Sequence, residues 1–454
     1  GRDFTRSLWT GEEGNALAVR HAFWYFQVLG QASELYQAGG DSVLAGLGLF
    51  DRERQNVEAG QAWAAARAGH NPDAARLCNA YPDAGVFVLD LRLHMRVMIA
   101  WLEAALAAAR SLGDREAEGW PLGNLGNAYA DLGEVRKAIG YYEQALAIRR
   151  EIGNRRGEGN TLTGLGIAYY RLGEVRRAIG YYEQALAIHR EIGDRRGEGI
   201  TLGNLGLAYS NLGEVQKAIG YYEEALKITR EIGDRRGEGN ALADLGLAYT
   251  RLGEVQRAIG YNEQALAIDR EIGDRQGEGI SLNNLGLAYA RLGEVQKAIG
   301  YYEEALKITR EIGDRRGEGN ALADLGLAYT RLGEVQRAIG YNEQALAIDR
   351  EIGDRQGEGI SLNNLGLAYA RLGEVQKAIE YYEQALAIDR EIGDRRYEGI
   401  DSWILGLMYA QQGDLARAVE LLQVLVDYER SIGHPDAEKH AALVEEIRRR
   451  MAGG

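Results

Sequence analysis

Residues 313–352 decide the fold, and they read GDRRGEGNALADLGLAYTRLGEVQRAIGYNEQALAIDREI. Similar 40-residue repeats begin at Gly113, Gly153, Gly193, Gly233, Gly273, Gly313, Gly353 and Gly393. Residues 218–299 are identical to residues 298–379, which indicates a recent tandem duplication. Self-similarity at a fixed period of this length is typical of repeat architectures, in which each repeat packs mainly on its neighbours.

Each repeat has apolar residues spaced for two helices. In the repeat from Gly113, the first apolar face follows the helical spacing i, i+3, i+4, i+7: Leu125, Ala128, Tyr129 and Leu132. A second apolar face runs from Val135 to Ile148. Gly133 lies between the two faces and suits the left-handed backbone that ends a helix. Later repeats place Asp194 or Asp234 where a helix N-cap is expected. We therefore predict a helix–turn–helix hairpin in every repeat.

The small and aromatic positions of these hairpins resemble the tetratricopeptide repeat. In the repeat from Gly113 the matching residues are Gly126, Tyr129, Ala138 and Ala145, and we expect the tyrosine to fill the gap between the two helices. The resemblance covers roughly 320 residues, counted over eight repeats. The length of 40 residues is similar to the longer-helix subclass, which includes LGN/Pins polarity adaptors, kinesin light chain and bacterial sensors. The resemblance implies an all-α, right-handed superhelical solenoid.

We divide the chain into three predicted domains. Residues 113–432 hold the eight repeats, residues 433–454 form a C-terminal capping helix, and residues 1–112 form a helical domain that caps the first repeat. Within that helical domain, Asp41 is a candidate N-cap for a helix that runs to Ala68. Proline marks expected turns at Asn71-Pro72 and Tyr81-Pro82, and a long helix is expected from about Val86 to Leu112.

The N-terminal domain carries a second resemblance. Its residues are similar to the run that follows the nucleotide-binding and winged-helix domains of bacterial STAND (NB-ARC) NTPases: Arg20-His21-Ala22, Tyr25, Phe50, Glu53, Asn56 and Trp63. No G-x-x-x-x-G-K-[ST] motif occurs in the sequence, so the chain lacks the phosphate-binding loop of that family. Because the first residue is Gly1, we expect a piece of a longer protein. The resemblance implies a sensor module whose NTPase domain, outside this chain, is an intramolecular partner.

Composition and spacing argue against several functions. The net charge of -14 argues against nucleic acid, and the single cysteine, Cys78, excludes a disulfide framework. The six histidines lack the spacing of helical metal ligands. The carboxylates recur with the repeat, whereas a catalytic pair would be singular. No apolar run reaches membrane-spanning length. We therefore expect a soluble cytoplasmic protein that is not an enzyme and binds no cofactor, metal or membrane.

The candidate binding site is the concave face, which the first helix of each hairpin lines in tetratricopeptide arrays. The helical spacing predicts four rows on this face, and the fourth, one turn earlier, alternates Asn160, Ile200, Asn240, Ile280, Asn320 and Ile360. The other three carry the candidate site. One carries amides (Asn124, Asn204, Asn284, Asn364), one carries guanidiniums (Arg171, Arg251, Arg291, Arg331, Arg371), and one is apolar (Leu247, Leu287, Leu327). Amides can bond a peptide backbone, and arginines can hold carboxylates. The rows favour an extended peptide or protein segment with acidic and apolar residues.

Three alternatives remain open at this stage. The leucines could pack only between neighbouring repeats while the arginines only face solvent. The chain could be a free-standing adaptor that bridges two proteins rather than a sensor. Finally, a stripe of glycines recurs in the second helices: Gly140, Gly180, Gly220, Gly260, Gly300 and Gly340. This stripe is either a neutral product of duplication or a surface that a neighbouring domain approaches closely.

Overall fold

The computed structural model describes residues 12–38 and 42–452, and the regular structure in those ranges is α-helical throughout. Five helices precede the repeats: α1 Glu12–Gln37, α2 Ser42–Arg67, α3 Pro72–Ala84, α4 Val86–Arg92 and α5 Met95–Leu112. The first helices of the eight hairpins are α6 Arg115–Asp131, α8 Arg155–Arg171, α10 Arg195–Asn211, α12 Arg235–Leu252, α14 Arg275–Arg291, α16 Arg315–Leu332, α18 Arg355–Arg371 and α20 Arg395–Gln412. Their second helices are α7 Val135–Glu151, α9 Val175–Glu191, α11 Val215–Ile232, α13 Val255–Ile272, α15 Val295–Ile312, α17 Val335–Ile352, α19 Val375–Ile392 and α21 Leu415–Ile432, and α22 Ala437–Ala452 follows. The predicted all-α array of hairpins is confirmed.

The helix ends follow the expected chemistry of caps and turns. At the start of α12, the carboxylate of Asp234 accepts a hydrogen bond from the backbone N–H of Gly237 at 2.9 Å. At its end, Gly253 has a φ of 80°, a left-handed backbone that residues with a side chain adopt only with strain. Asp followed by Gly at the repeat boundary therefore closes one helix and starts the next.

Glycine brings the two helices of each hairpin together, but the tyrosine beside it differs from our expectation. We expected the tyrosine of the first helix to fill the gap. Instead Tyr222, from the second helix, lies on Gly206, and a Cβ there would stand 2.5 Å from its ring. Tyr209, in the first helix, stacks on Tyr221 at 5.4 Å, with the ammonium of Lys217 3.7 Å from its ring centroid. The two tyrosine positions thus have different roles in the hairpin.

The chain forms two compact units, Gly1–Ala168 and Tyr169–Gly454. In the first unit, α5 packs on α6, and the hydroxyl of Tyr129 donates to Glu103 at 3.0 Å. Asn79 also donates to the carbonyl oxygen of Ala117 at 3.3 Å. The N-terminal helices therefore cover the exposed end of the first repeat. The exact boundaries of the three predicted domains stay predictions.

Two predictions within residues 1–112 were wrong. Tyr81-Pro82 is not a turn but part of α3. Pro82 lies in the last turn of α3, where it removes one hydrogen bond of the helix, and the buried Tyr81 hydroxyl donates to the carbonyl of Ala22 at 2.6 Å. The predicted helix from Val86 to Leu112 is broken at Leu93-His94, where both residues have extended backbone and His94 caps α5. The proposed cap Asp41 lies outside the described residues.

In the second unit, α22 closes the array. It packs on α21 and buries Val444 and Ile447 in a cluster that also contains Leu422 and Val426. A hairpin at the end of a stack would otherwise leave its apolar face in water, so this helix acts as a cap.

Candidate binding groove

The first helices line the inner side of the second unit. There α10, α12, α14, α16 and α18 contact one another directly, in addition to their contacts with the second helices. Among the described helices, successive second helices make no comparable contact. Helices on the inside of a curved stack lie closer together than those on the outside. We call the inner surface of these five helices the groove.

The predicted amide and leucine rows lie partly buried. Asn284 lines a pocket of about 160 Å³ together with Ile280, Asn283 and Asn320. Asn364 donates to the carbonyl oxygen of Ala323 at 3.3 Å, across to the preceding repeat. Asn204 and the three leucines of the apolar row, Leu247, Leu287 and Leu327, are half-buried. Asn124 lies in the first compact unit and donates to the carbonyl of Trp120 at 3.1 Å, within its own helix. The amides thus serve the backbone as well as the surface.

The predicted arginine row differs from the other arginines of the repeats. Between residues 215 and 390, every arginine outside the row forms an ion pair with a carboxylate: Arg230, Arg235, Arg236, Arg257, Arg270, Arg275, Arg310, Arg315, Arg316, Arg337, Arg350, Arg355 and Arg390. Arg251, Arg291, Arg331 and Arg371 are exposed and form no ion pair with any described residue. Arg251 donates to the Ser210 hydroxyl at 2.6 Å. Arg171 is also exposed, at the end of α8.

The paired arginines have a structural task at the repeat boundaries. Glu238 is buried, and it accepts hydrogen bonds from Arg230 at 2.8 Å and from Arg235 at 2.5 Å. Burial alone would raise the pKa of Glu238, but these two hydrogen bonds outweigh it and the pKa is lowered. The same arrangement recurs at Glu278 and Glu318. These charges are already satisfied within the fold, so they do not attract a ligand.

Asp244 and Asp324 occupy, in their repeats, the position that the amide row has in the others, and the sequence analysis gave them no role. Burial raises the pKa of Asp244 to about 7. Burial also raises the pKa of Asp324 to about 6, although Asn283 donates to its carboxylate at 2.7 Å and Arg331 lies nearby. Burial thus disfavours the charged form of both carboxyls beside the arginine row. The alternation of Asn and Asp along the row was the signal in the sequence.

Beside the groove, two buried amides also went unnoticed. Asn262 and Asn342 occupy a position where five other hairpins carry tyrosine. Both are fully buried, and neither atom of either amide has a hydrogen-bond partner among the described residues. Each amide lies against a glycine of the first helix, Gly246 or Gly326. The change from Tyr to Asn was visible in the repeat alignment, but its cost was not.

The residues that carry the STAND resemblance meet between α1 and α2. The rings of His21 and Tyr25 lie 4.6 Å apart. On α2, the Asn56 amide donates to Glu53 at 2.9 Å. Burial raises the pKa of Tyr25, and Glu53 raises it further. The apolar members, Ala22, Phe50 and Trp63, are buried. This motif is therefore a packed junction between the first two helices.

Metal ligands and membrane spans would each show a characteristic pattern in the described residues. No three His, Cys, Asp or Glu side chains are grouped there as metal ligands would be. His440 Nδ1 lies 2.7 Å from the carboxylate of Glu429, with His434 on the other carboxylate oxygen at 3.6 Å. None of the helices in the described ranges combines the length and apolar character needed to span a bilayer.

The comparisons with known proteins match the repeats of this chain. The sequence model of the tetratricopeptide repeat family matches residues 97–151, 122–191, 197–271, 278–351 and 357–427. No curated protein matches the chain. Among solved structures, a Rap protein complexed with Competence and Sporulation Factor has a TM-score of 0.58 and 15% identity, with 84% of this chain and 99% of that chain covered.

Two further structures match with lower TM-scores. A STAND protein with a tetratricopeptide repeat sensor from Pyrococcus horikoshii has a TM-score of 0.47 and 18% identity, covering 94% of this chain and 65% of that chain. A putative kinesin light chain from Podosopora anserina has a TM-score of 0.35 and 26% identity, covering 42% of this chain and 94% of that chain.

The family match settles the class of the protein. The matched segments extend over more than half of the chain. This repeat fold is generally a non-catalytic scaffold for protein–protein interaction. On the strength of its repeats and of the hairpins they form, the chain belongs to the tetratricopeptide repeat family.

Proposed function

We propose that the groove binds an extended peptide or protein segment that bears acidic and apolar side chains. The observation that carries this proposal is the row of guanidiniums without an ion pair, on Arg251, Arg291, Arg331 and Arg371. Every other arginine between residues 215 and 390 pairs with a carboxylate, so within this part of the chain the row is an exception. Carboxylates of a ligand would supply the missing partners through charge-assisted hydrogen bonds.

The remaining side chains of the groove suit the same ligand. Leu247, Leu287 and Leu327 are half-buried and offer apolar contacts between the arginines. The chain as a whole has a net charge of -14, so a row of unpaired positive charges is a local exception. Such a row would steer an acidic segment toward the groove and away from the acidic remainder of the surface. The alternative, in which the arginines only face solvent, predicts no dependence of binding on them.

The test uses a fluorescein-labelled peptide of alternating Glu and Leu, about 20 residues long, to span several repeats. Fluorescence anisotropy should show binding to the intact chain, and the affinity should fall with added salt. The triple variant Arg291→Glu, Arg331→Glu, Arg371→Glu should weaken binding by at least about tenfold. The control variant Lys227→Glu, Lys307→Glu reverses exposed charges on second helices and should bind normally.

Two results would count against this assignment. Equal loss of binding in the Lys227→Glu, Lys307→Glu control would mean that only net charge matters. Unchanged binding in the arginine variant would move the site away from the groove. A matched peptide of alternating Lys and Leu should not bind, because the row would repel it.

We further propose that the chain is the ligand-sensing module of a bacterial signalling NTPase of the STAND type. Support comes from the resemblance of residues 20–63 and from the packed junction that His21, Tyr25, Glu53 and Asn56 form. In such a protein, a ligand acts by binding the active conformation more tightly than the resting one. The test is the gene: a P-loop and winged helix encoded upstream of Gly1 support the proposal, and an unrelated domain there contradicts it.

The second candidate is a free-standing adaptor that bridges two proteins. The glycine stripe favours it, because a Cβ at Gly140, Gly180, Gly220, Gly260, Gly300 or Gly340 would meet no described atom within 4 Å. That surface is open for a second partner while the groove holds the first. An adaptor should bind two partners at once, and size-exclusion chromatography of a ternary mixture would show it.

A further inference from the structure

Three turn glycines in the second compact unit differ from all the others in the described chain. The hairpin turns carry glycines with positive φ at every repeat, and at most of them an added Cβ would meet no atom within 4 Å. Gly173, Gly213 and Gly433 are the exceptions, and the atoms near them belong to residues more than 200 positions away in the sequence. Two distant groups of turns therefore touch each other.

The contacts are few and specific. A Cβ on Gly173 would lie 3.7 Å from both the Cβ and the backbone nitrogen of Arg395. The Arg176 guanidinium donates a hydrogen bond to the carbonyl oxygen of Ile432 at 2.5 Å. Near Gly213, the imidazole of His434 stands 3.6 Å from the Cβ position. The first hairpins of the unit thus meet its last hairpin.

The residues at this meeting depart from the repeat pattern. Tyr170 replaces the Ala, Ser or Thr of the other first helices, Tyr397 replaces Gly, and Tyr428 replaces Ile. Burial raises the pKa of Tyr170, which also lies within electrostatic reach of Asp394, Arg396 and Arg251. Burial likewise raises the pKa of Tyr397, and Arg251 acts on it as well. Bulky side chains are thus concentrated where the two ends approach, beside the first arginine of the groove that lacks an ion pair.

We propose that this contact is a clasp, formed by residues 170–176 and 211–213 on one side and residues 394–397 and 428–434 on the other. The clasp encloses the groove, so a ligand enters as a single extended chain and does so rapidly only when the clasp opens. This inference rests on the proposed function of the groove, because it concerns how that groove is reached. A folded domain does not fit an enclosed groove.

Two features of the closed clasp favour its opening. The hydrogen bond that Arg176 donates to Ile432 across the two sides is exposed to solvent. The buried hydroxyl of Tyr428 has no hydrogen-bond partner among the described residues, so the closed form leaves a polar group unsatisfied. Opening would expose that hydroxyl to water and offset part of the lost packing. We therefore expect the clasp to open without unfolding the hairpins on either side of it.

The existence of the clasp can be tested without a ligand. In the variant Gly173→Cys, Arg395→Cys, the Cβ separation of 3.7 Å falls within the range of about 3.5–4.5 Å that a disulfide needs. Oxidation should form an intramolecular disulfide, seen as a faster band on a non-reducing gel. The native Cys78 is fully buried and should not interfere. The variant Gly253→Cys, Arg395→Cys is the control, because no described atom lies near Gly253, and it should stay reduced. Cysteine is strained at both left-handed glycines, Gly173 and Gly253, so the control matches this effect. Absence of the disulfide in a first variant that circular dichroism shows to be folded would overturn the clasp.

Its role is tested by stopped-flow kinetics with the labelled peptide of alternating Glu and Leu. Closing the disulfide before mixing should slow association by at least about tenfold, whereas closing it on the complex should slow dissociation. Arg176→Ala removes the hydrogen bond without cysteine and should speed both rates. Locked and reduced proteins with equal rates would overturn the gate, even though the clasp exists. If the peptide binds none of the variants at any rate, the disulfide result still stands, and the proposed function of the groove is what fails.

Discussion

Replacing Asn262 with tyrosine should stabilise the second compact unit. The side chain of Asn262 is fully buried, and its amide oxygen and nitrogen both lack hydrogen-bond partners among the described residues. The hairpin that begins at Asp194 carries tyrosine at the same position, Tyr222, which packs on Gly206 and is 3% exposed. Asn262→Tyr therefore introduces the packing of tyrosine on glycine that is already present in other hairpins, and the same holds for Asn342→Tyr.

The expected gain follows from the unsatisfied amide and the missing ring. Leaving a buried polar group without a partner costs about 1–3 kcal/mol. The tyrosine ring adds buried apolar surface, and the conformational entropy lost in ordering the ring offsets part of this gain. We expect a net stabilisation of about 2 kcal/mol per site. The amide of Asn284, on the following first helix, does not obstruct a tyrosine at position 262. Tyr182 and Asn204 show this, because they have the same separation in sequence as Asn262 and Asn284 and the fold accommodates both.

Thermal unfolding followed by circular dichroism at the helical band measures the gain. A stabilisation of about 2 kcal/mol should raise the Tm by several degrees in a unit of this size. The matched control is Tyr222→Asn, which creates in one hairpin the arrangement found at Asn262 and should lower the Tm. Amide hydrogen exchange should place both effects in α10 to α14. A Tm that is unchanged or lower in Asn262→Tyr would refute the reasoning, because it would mean that the amide is satisfied.

Burial and the neighbouring Asp401 hold the pKa of Asp389 well above its ordinary value of about 3.9. Above a pH of about 3.9 the folded state therefore keeps a proton that the unfolded state loses, and the free energy of unfolding should fall as the pH rises. Asp401→Ser, which restores the serine of two earlier repeats, should reduce this fall in the urea midpoint, and an unchanged slope would exclude the carboxyl pair as its source. Gly260→Ala should raise the Tm, with a gain of about 1 kcal/mol, because its Cβ meets open space; a change of assembly state in light scattering would instead show that the glycine stripe is a contact surface. Glu278→Gln should lower stability in urea by about 2 kcal/mol, because it is buried between two arginines, whereas Glu311→Gln, which is exposed, should change it by less than about 1 kcal/mol. Equal effects of the two glutamate substitutions would contradict the role of burial.

The hairpins could be predicted because every signal for them is local. The apolar spacing, the capping Asp and the left-handed Gly all act within a few residues. Because the sequence has a 40-residue period, every hairpin shows these signals again. The two wrong helix and turn predictions lie in residues 1–112, where no repeat averages out exceptions. Pro82 stays in a helix because Tyr81 is anchored to Ala22, 59 residues earlier. A contact over that distance leaves no trace in local propensity.

The groove shows a different limit. Periodicity alone was enough to place Arg251, Arg291, Arg331 and Arg371 in one row, but not to show that they lack ion pairs. That property depends on which carboxylates the hairpins bring near the other arginines, and only coordinates reveal it. The repeat therefore predicted where the arginines lie, whereas the ion pairs of the structure show which arginines lack a carboxylate partner.

The clasp could not be predicted from the repeat pattern or from the ion pairs, yet some residues in the sequence indicate it. Whether one end of a stack meets the other depends on a small rotation per repeat, accumulated over several repeats, and no single repeat shows it. However, residues that depart from an otherwise regular repeat are constrained by something other than the hairpin. Tyr170 and Tyr397 are such departures, and both lie at the clasp. In a chain with nearly identical repeats, the regular positions specify the fold, and the irregular ones are where contacts particular to this protein should be sought.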